Sequence, residues 1–230
     1  MISPQAAHRI EQIVSYLLLG GFVFYTLNQV RKPTRWVGRF FLWIMNLSHS
    51  SLTDWGLGHV EIGNNFAVLD VGCGGGRTIE KLAALAGQGS VCGVDYSSGS
   101  VAASRARNAK VIEAGRVEIK QGSVSHLPFP DGKFDLVTAV ETQYYWPDLV
   151  NDMKEIRRVL KPGGNLVIIA ESYKRGATNT LQRPVMMLLR SSNLGVEEHR
   201  QLFTDAGYTQ IDIFEEKSKG WICGVGRKPS

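Results

Sequence analysis

A glycine-rich loop between an apolar strand and a helix is the feature that most limits the folds open to this chain. Residues 66–69 form an apolar run, Asp70 follows it, and residues 72–76 read GCGGG before a helical pattern starts at Thr78. Glycine permits a tight turn and a close approach of the backbone to a ligand. The first N–H groups of the helix lack intrahelical acceptors and can face that ligand. The order of strand, glycine-rich loop and helix therefore predicts a loop that binds a nucleotide-containing ligand. The alternative is a tight turn that binds nothing.

Strands and helices alternate along the rest of the chain. Further strands are predicted at 90–94, 117–121, 134–140, 165–170, 209–215 and 220–226, and helices at 78–86, 97–114, 148–160 and 196–206. Such alternation is typical of a mostly parallel sheet with helices on both faces. We predict a doubly wound, seven-stranded, Rossmann-like α/β sheet in a domain of residues 59–230.

Two acidic residues mark the ends of the first two strands. Asp70 ends the first strand, and Asp95 ends the second, where an acid can accept hydrogen bonds from both hydroxyls of a ribose. The loop reads G-x-G-x-G, but Arg77 occupies the sixth position of a dinucleotide fingerprint. This departure disfavours an NAD(P)-dependent oxidoreductase, which is the first alternative function.

Four blocks of sequence together resemble a known enzyme family. They are VLDVGCGGGRT at 68–78, GVDYS at 93–97, GSVSHLPFPDGKFDLV at 122–137 and EIRRVLKPGG at 155–164. In this order they are similar to the class I S-adenosylmethionine-dependent methyltransferases, in particular the small-molecule group with the ubiquinone and menaquinone C-methyltransferases. The segment FEEKSKGWICGVGRKP is similar to the closing antiparallel hairpin of that fold. The resemblance implies S-adenosyl-L-methionine as cofactor and methyl transfer to a small, apolar or amphipathic acceptor.

The resemblance also assigns roles in binding the methionine part of the cofactor. Asp70 would orient water or the amino group of that part. Gly72 and Gly74 would let the loop pass under the cofactor, with Cys73 between them as a small space-filling residue.

The ribose and adenine have their own set of residues in this resemblance. Asp95 would hold the ribose diol, and Tyr96 would pack on the adenine. Ser123 and Val124 would lie beside the adenine edge. The family commonly has Asp at position 123, so Ser123 departs from the pattern and would either make a weaker bond or leave that bond to a backbone group.

The segment after the fourth strand supplies the candidates for the chemical step. It reads ETQYYWP at 141–147, and in the family this loop flanks the transferable methyl group. Glu141 is either a general base or a ligand of the methionine ammonium group, and both roles stay open. Tyr144 and Tyr145 stand where two histidines are common; they bound the pocket or bond the acceptor, with core packing as the alternative. His49 is a further candidate, because it lies in a segment that loosely resembles the helix that precedes the domain in the quinone methyltransferases and closes over the cofactor.

Charge and cysteine content narrow the function classes. The net charge is +5, but the segment before residue 46 contains five basic side chains and only one acidic side chain. The α/β domain itself is therefore nearly neutral, and this disfavours nucleic-acid binding. The three cysteines, at 73, 92 and 223, have no metal-site spacing. We therefore expect no metal and a cytoplasmic protein without a disulfide framework.

Residues 1–58 are an apolar and basic segment that the α/β fold does not require. Residues 13–30 carry no charge and reach the lower limit of a membrane span, followed by Arg31, Lys32, Arg35 and Arg39. A transmembrane anchor, a helical lid over the cleft and interfacial membrane binding are three explanations. We favour the lid for 36–58 and leave 1–30 between lid and peripheral membrane contact. A non-catalytic, cofactor-binding protein recruited to a membrane is the second alternative function.

Overall fold

The computed structural model describes residues 50–171 and 194–230. Residues 1–49, which carry the anchor and interfacial hypotheses and the first part of the lid predicted at 36–58, lie outside these ranges, and so does His49. In the described part of the chain, no helix has both the length and the apolar character needed to cross a bilayer.

A seven-stranded sheet forms the frame of the molecule. Its order is β3-β2-β1-β4-β5-β7-β6, and all neighbouring strands are parallel except the two pairs that include β7. The predicted doubly wound sheet and its C-terminal antiparallel hairpin are confirmed. In chain order the strands are β1 (Ala67–Val71), β2 (Ser90–Asp95), β3 (Val117–Gln121), β4 (Phe134–Val140), β5 (Leu160–Glu171), β6 (Thr209–Glu216) and β7 (Trp221–Arg227).

Helices cover both faces of the sheet because the strands are apolar on both sides. Leu69 packs in one core with side chains of α5 and α6, whereas Val68 packs in a second core with α1, α2 and α3. Both side chains are fully buried, as expected for a covered parallel strand. The helices are α1 (Ser50–Leu57), α2 (Arg77–Leu85), α3 (Ser98–Arg107), α4 (Ala109–Glu113), α5 (Leu149–Val159) and α6 (Val196–Asp205), with a 3-10 turn at Gln143–Tyr145.

The helix predicted at 97–114 is two helices in the structure, and Asn108 divides them. The Asn108 amide donates to the carbonyl oxygens of Gly76 and Ser104, both at 2.9 Å. Asparagine readily makes such side-chain bonds to the backbone, and they compete with a continuous helix. The break therefore ties the end of α3 to the end of the glycine loop.

Strand β5 begins earlier than the sequence predicts. The sequence predicts this strand at 165–170, yet β5 starts at Leu160, which pairs with Phe134 across an irregularity in the register. The backbone of Lys228 exchanges hydrogen bonds with Gly163 and Gly164, 3.0 and 2.8 Å long. This partner lies far along the chain, so a local pattern of proline and glycine could not reveal it.

The order of the strands places a crevice between β1 and β4. From β1 the chain proceeds outward through β2 and β3, whereas from β4 it proceeds the opposite way. At such a reversal the chain leaves the two central strands in opposite directions at the carboxyl edge of the sheet, where α/β proteins bind ligands. Here these loops are the glycine loop and residues 141–147.

Candidate active site

A cavity of about 450 Å³ opens at this carboxyl edge. Its walls come from the start of α1, the glycine loop, the end of β2, the loop after β3 and the loop after β4. The lining residues are Ser50, Thr53, Val71, Gly72, Cys73, Gly74, Gly75, Arg77, Thr78, Val94, Asp95, Tyr96, Ser100, Gly122, Ser123, Val124, Val140, Glu141, Thr142, Tyr145, Trp146 and Pro147.

The glycine loop is pressed against the loop that follows β4. Gly72 has a φ of 75°, and a Cβ there would lie 2.7 Å from the Cβ of Thr142. Gly74 has a φ of 50°, and a Cβ there would meet no atom nearer than 3.9 Å. Gly72 thus allows close packing of two loops, while Gly74 allows the turn beside the open cavity.

Asp95 is held rigidly at the end of β2. Its two carboxylate oxygens accept the backbone N–H groups of Gly74 at 2.9 Å and Ser97 at 2.8 Å. The side chain is 8% exposed and borders the cavity, and burial raises its pKa despite these bonds. The Ser100 side chain also bonds to this carboxyl group, and because a carboxylate can accept about four hydrogen bonds, a diol hydroxyl could still donate to it.

The predicted adenine-side residues lie together at the rim. Tyr96 is 44% exposed and presents an aromatic side chain to the cavity, which is uncommon for so large a group. Val124 is buried, whereas Ser123 is exposed and its Oγ accepts the N–H of Ser125 at 3.2 Å. Tyr96 and Val124 could enclose a planar ring between them.

Asp70 lies beneath the glycine loop instead of in the cavity wall. It is 2% exposed, and the hydroxyl of Thr138 donates to its carboxyl at 2.7 Å. Burial raises the pKa of Asp70 to about 7. Its direct contact with the methionine part of a cofactor stays a prediction, whereas its neighbour Cys73 does line the cavity.

Glu141 follows β4 and borders the cavity in a left-handed backbone conformation, with a φ of 56°. One of its carboxyl oxygens accepts the N–H of Glu171 and lies 3.2 Å from the hydroxyl of Tyr144. Burial raises the pKa of Glu141 to about 8. A non-glycine residue in this conformation stores strain, which is typical of functional sites.

The two tyrosines take opposite positions around the 3-10 turn. Tyr145 lines the cavity, whereas Tyr144 is 8% exposed, lies behind Glu141 and donates to the carbonyl of Glu171 at 2.6 Å. The expectation that both face an acceptor therefore suits Tyr145 better than Tyr144.

Helix α1 supplies a wall that sequence reasoning only partly anticipated. Ser50 and Thr53 line the cavity, and the ammonium group of Lys81 on α2 contacts Ser50 and Asp54. Gly56 lets α1 lie close to β5, since a Cβ there would strike Ile169. Six further lining residues were not predicted as site residues, although each lies on the same loop or helix as a predicted one. They are Arg77, Thr78, Ser100, Thr142, Trp146 and Pro147.

The residues present fit S-adenosylmethionine. A buried acid with spare lone pairs suits a ribose diol, and an exposed tyrosine facing an apolar valine suits a purine. The glycine loop leaves open space at Gly74, where backbone can approach a ligand. These groups lie along one continuous cavity that also reaches Glu141 and Tyr145.

Comparison with known proteins agrees with this geometry. Residues 69–168 match the family described as methyltransferase domain. A demethylmenaquinone methyltransferase of Lactiplantibacillus plantarum is 36% identical over 117 residues, which cover 50% of this chain and 49% of that protein. The chain thus spans about half the length of this relative. An uncharacterised methyltransferase of Bacillus subtilis is 25% identical over 193 residues, covering 82% of this chain and 97% of the other.

A solved structure shares the fold. The geranyl diphosphate C-methyltransferase of Streptomyces coelicolor, in complex with Mg²⁺, geranyl diphosphate and S-adenosyl-L-homocysteine, superposes with a TM-score of 0.69 at 16% identity. The superposition covers 78% of this chain and 80% of that one. The sequence matches therefore assign residues 69–168 to the methyltransferase domain family, and the solved structure shows that the fold is shared.

Proposed function

We propose that the protein transfers a methyl group from S-adenosylmethionine to a small, apolar or amphipathic acceptor. The supporting observation is that one cavity in the described part of the chain is lined both by Asp95 and Tyr96 and by Tyr145 and Trp146. When bound, the cofactor supplies an electrophilic methyl group on a sulfonium. The oxidoreductase alternative gains no support, because Arg77 breaks the dinucleotide pattern and the relatives described above are methyltransferases.

The residues beyond the glycine loop are suited to hold an acceptor with an apolar body. Tyr145, Trp146, Val140 and Pro147 give this end of the cavity an apolar wall. The hydroxyls of Ser50, Thr53 and Thr142 add polar groups, and the Thr142 hydroxyl lies 3.4 Å from the indole N–H of Trp146. Holding the acceptor about 3 Å from the methyl carbon, in line, supplies much of the rate of such a reaction.

A two-step assay tests the proposal on the full-length chain. Calorimetry should give binding of S-adenosylmethionine and S-adenosylhomocysteine at one per chain, and no binding of NAD⁺ or NADP⁺. Methyl transfer from a labelled cofactor is then measured against demethylmenaquinone and a set of simple phenols, amines and thiols. Demethylmenaquinone is included because one relative described above is a demethylmenaquinone methyltransferase.

The variant Tyr145→Ala separates the acceptor side from the cofactor side. We expect it to reduce turnover on a true acceptor more than it weakens cofactor binding, since Tyr145 follows β4, whereas Asp95 and Tyr96 lie at the end of β2. Tyr208→Phe is the matched control, because Tyr208 is buried in the core and bonds the carbonyl of Met153. Cofactor binding with no transfer to any acceptor would favour the non-catalytic alternative, and dinucleotide binding alone would refute the proposal.

A further inference from the structure

Thr138 places a hydroxyl in the buried centre of the sheet. It lies on β4 with no exposed surface, between the buried apolar residues Val137 and Ala139. Strands β1 and β4 are parallel and pair Asp70 with Thr138, so these two side chains point to the same face of the sheet. A buried hydroxyl without a hydrogen-bond partner is costly, and Asp70 provides that partner.

The hydrogen bond runs from Thr138 to Asp70. The hydroxyl lies 2.7 Å from a carboxyl oxygen of Asp70 and 3.4 Å from the carbonyl oxygen of Leu69. A hydroxyl has one proton, and only the shorter distance lies in the usual range for an O–H···O bond. Donation of this proton to Asp70 stabilises the ionised carboxylate, which accepts hydrogen bonds but cannot donate one.

The other surroundings of Asp70 oppose its ionisation. Among the described residues, the titratable groups that interact with it are Asp95 at the end of β2 and Cys73 in the glycine loop, and neither supplies a positive charge. Burial and the charge of Asp95 raise the pKa of Asp70 to about 7, and the Thr138 hydrogen bond limits this rise. The hydroxyl of Thr138 therefore favours the charged form at a position where burial disfavours it.

Asp70 lies directly next to the cavity wall. Residues 71–75 follow it in the chain, and all of them line the cavity. We propose that Thr138 is a positioning residue of the cofactor site, which holds the Asp70 carboxylate beneath the glycine loop so that it pairs with the ammonium group of S-adenosylmethionine. This inference rests on the proposed function, because it needs that cofactor in the cavity.

Binding of a cation beside Asp70 should be coupled to the ionisation of this carboxyl group. In the free protein Asp70 is partly protonated near pH 7, because its pKa is about 7. An ammonium group pairs with the carboxylate and not with the neutral acid. The affinity for the cofactor should therefore increase as the pH rises from about 5.5 to about 7.5, below the range of about 7.7–8.0 in which an α-amino group loses its own proton.

Carboxyl titration by NMR tests the hydrogen bond without any cofactor. The protein is labelled with ¹³C at the aspartate side-chain carboxyl, and the resonance missing from Asp70→Asn is assigned to Asp70. We expect a midpoint near pH 7 in the parent protein. In Thr138→Val, which is similar in shape but has no hydroxyl, the midpoint should be higher by roughly one pH unit or more. Thr138→Ser retains the hydroxyl and should restore the parent midpoint.

The direction of the change decides which group donates the proton. A lower midpoint in Thr138→Val would mean that a neutral Asp70 donates to Thr138, and it would overturn the proposal, as would an unchanged midpoint. Thr138→Ala also lacks the hydroxyl and replaces the valine variant if that one does not fold. Thr209→Val is the matched control, because Thr209 is an exposed threonine on β6 whose hydroxyl also bonds to a carbonyl oxygen, and it should leave the midpoint unchanged.

Calorimetry then tests the link between Thr138 and the cofactor. S-adenosylhomocysteine carries the ammonium group, whereas 5′-methylthioadenosine has the same adenosine and sulfur but no amino-acid part. At pH 7 we expect Thr138→Val to bind S-adenosylhomocysteine roughly 5-fold more weakly than the parent protein, because the ionised fraction of Asp70 falls from about one half to about one tenth. The two proteins should bind 5′-methylthioadenosine equally.

The two ligands separate positioning of Asp70 from a general disturbance of the cavity. An equal loss of affinity for both ligands would indicate a distorted cavity and would overturn the positioning role. A raised midpoint with unchanged affinity for S-adenosylhomocysteine would also overturn it, since Asp70 would then not meet the ammonium group. If the parent protein bound neither ligand, the proposed function would fail, while the NMR midpoints would still decide the bond between Thr138 and Asp70.

Discussion

Asp95 illustrates how a single buried carboxylate is prepared for a ligand. Two backbone N–H groups, one from the glycine loop and one from the start of α3, fix both of its oxygens before any ligand arrives. Hydrogen bonds to an ionised group are stronger than those between neutral groups. The fixed carboxylate therefore offers a ribose diol a charged acceptor at little further cost in ordering.

We predict that Asp95→Asn weakens binding of S-adenosylhomocysteine roughly 10- to 150-fold, about 1.5–3 kcal/mol for a bond to a charged group. The amide retains one oxygen, so its NH₂ group must also face one of the two backbone N–H donors. Calorimetry measures the change, and Asp205→Asn, at the exposed end of α6, is the control. An unchanged affinity would exclude Asp95 from the cofactor site.

At the scale of elements, two loops from the central strands define the site by their contact. Thr142, at the start of the loop after β4, fills the space that a side chain at position 72 would need. The sequence revealed Gly72 as part of a tight loop but gave no sign of its partner, since the two residues are 70 positions apart.

A comparison of two glycine variants isolates this contact. Gly72 and Gly115 have φ values of 75° and 74°, but only at Gly72 would a Cβ strike another residue. Alanine at either position should cost on the order of 1–2 kcal/mol for the left-handed backbone. Gly72→Ala should cost more and should also weaken cofactor binding, whereas Gly115→Ala should leave binding intact. Denaturant unfolding and calorimetry measure both, and equal effects in the two variants would contradict a role for the contact.

Local patterns were sufficient to predict most of the sheet because apolar strand runs and loop glycines are properties of short segments. Local patterns failed where the hydrogen-bonding partner of a segment is distant in the sequence. The start of β5 is an example, because its backbone bonds to Lys228. They also failed to separate Tyr144 from Tyr145, because a 3-10 turn sends adjacent side chains in different directions. Thr138 was missed beneath Asp70, since a threonine within a strand is ordinary in a sequence.

At the scale of the whole molecule, the site buries acidic groups in an environment that disfavours their ionised form. Asp70, Asp95 and Glu141 all have raised pKa values, and burial is the main cause in each case. The folded protein therefore holds protons that the unfolded chain releases. Such a difference makes stability depend on pH.

The sign of this dependence follows from the direction of the shifts. Between about pH 4 and pH 8 these three carboxyl groups bind fewer protons in the unfolded chain than in the folded protein, so their contribution to the free energy of unfolding falls as pH rises. Asp70, with a pKa of about 7, contributes on the order of 4 kcal/mol to this fall.

Asp70→Asn keeps an oxygen for the Thr138 hydroxyl but cannot ionise. We expect its stability to vary less with pH and to exceed that of the parent protein at pH 8. Urea unfolding without cofactor from pH 5 to 9 measures this, with Glu113→Gln on the exposed end of α4 as control. Parallel curves for Asp70→Asn and the parent protein would show that Asp70 is already ionised in the folded state.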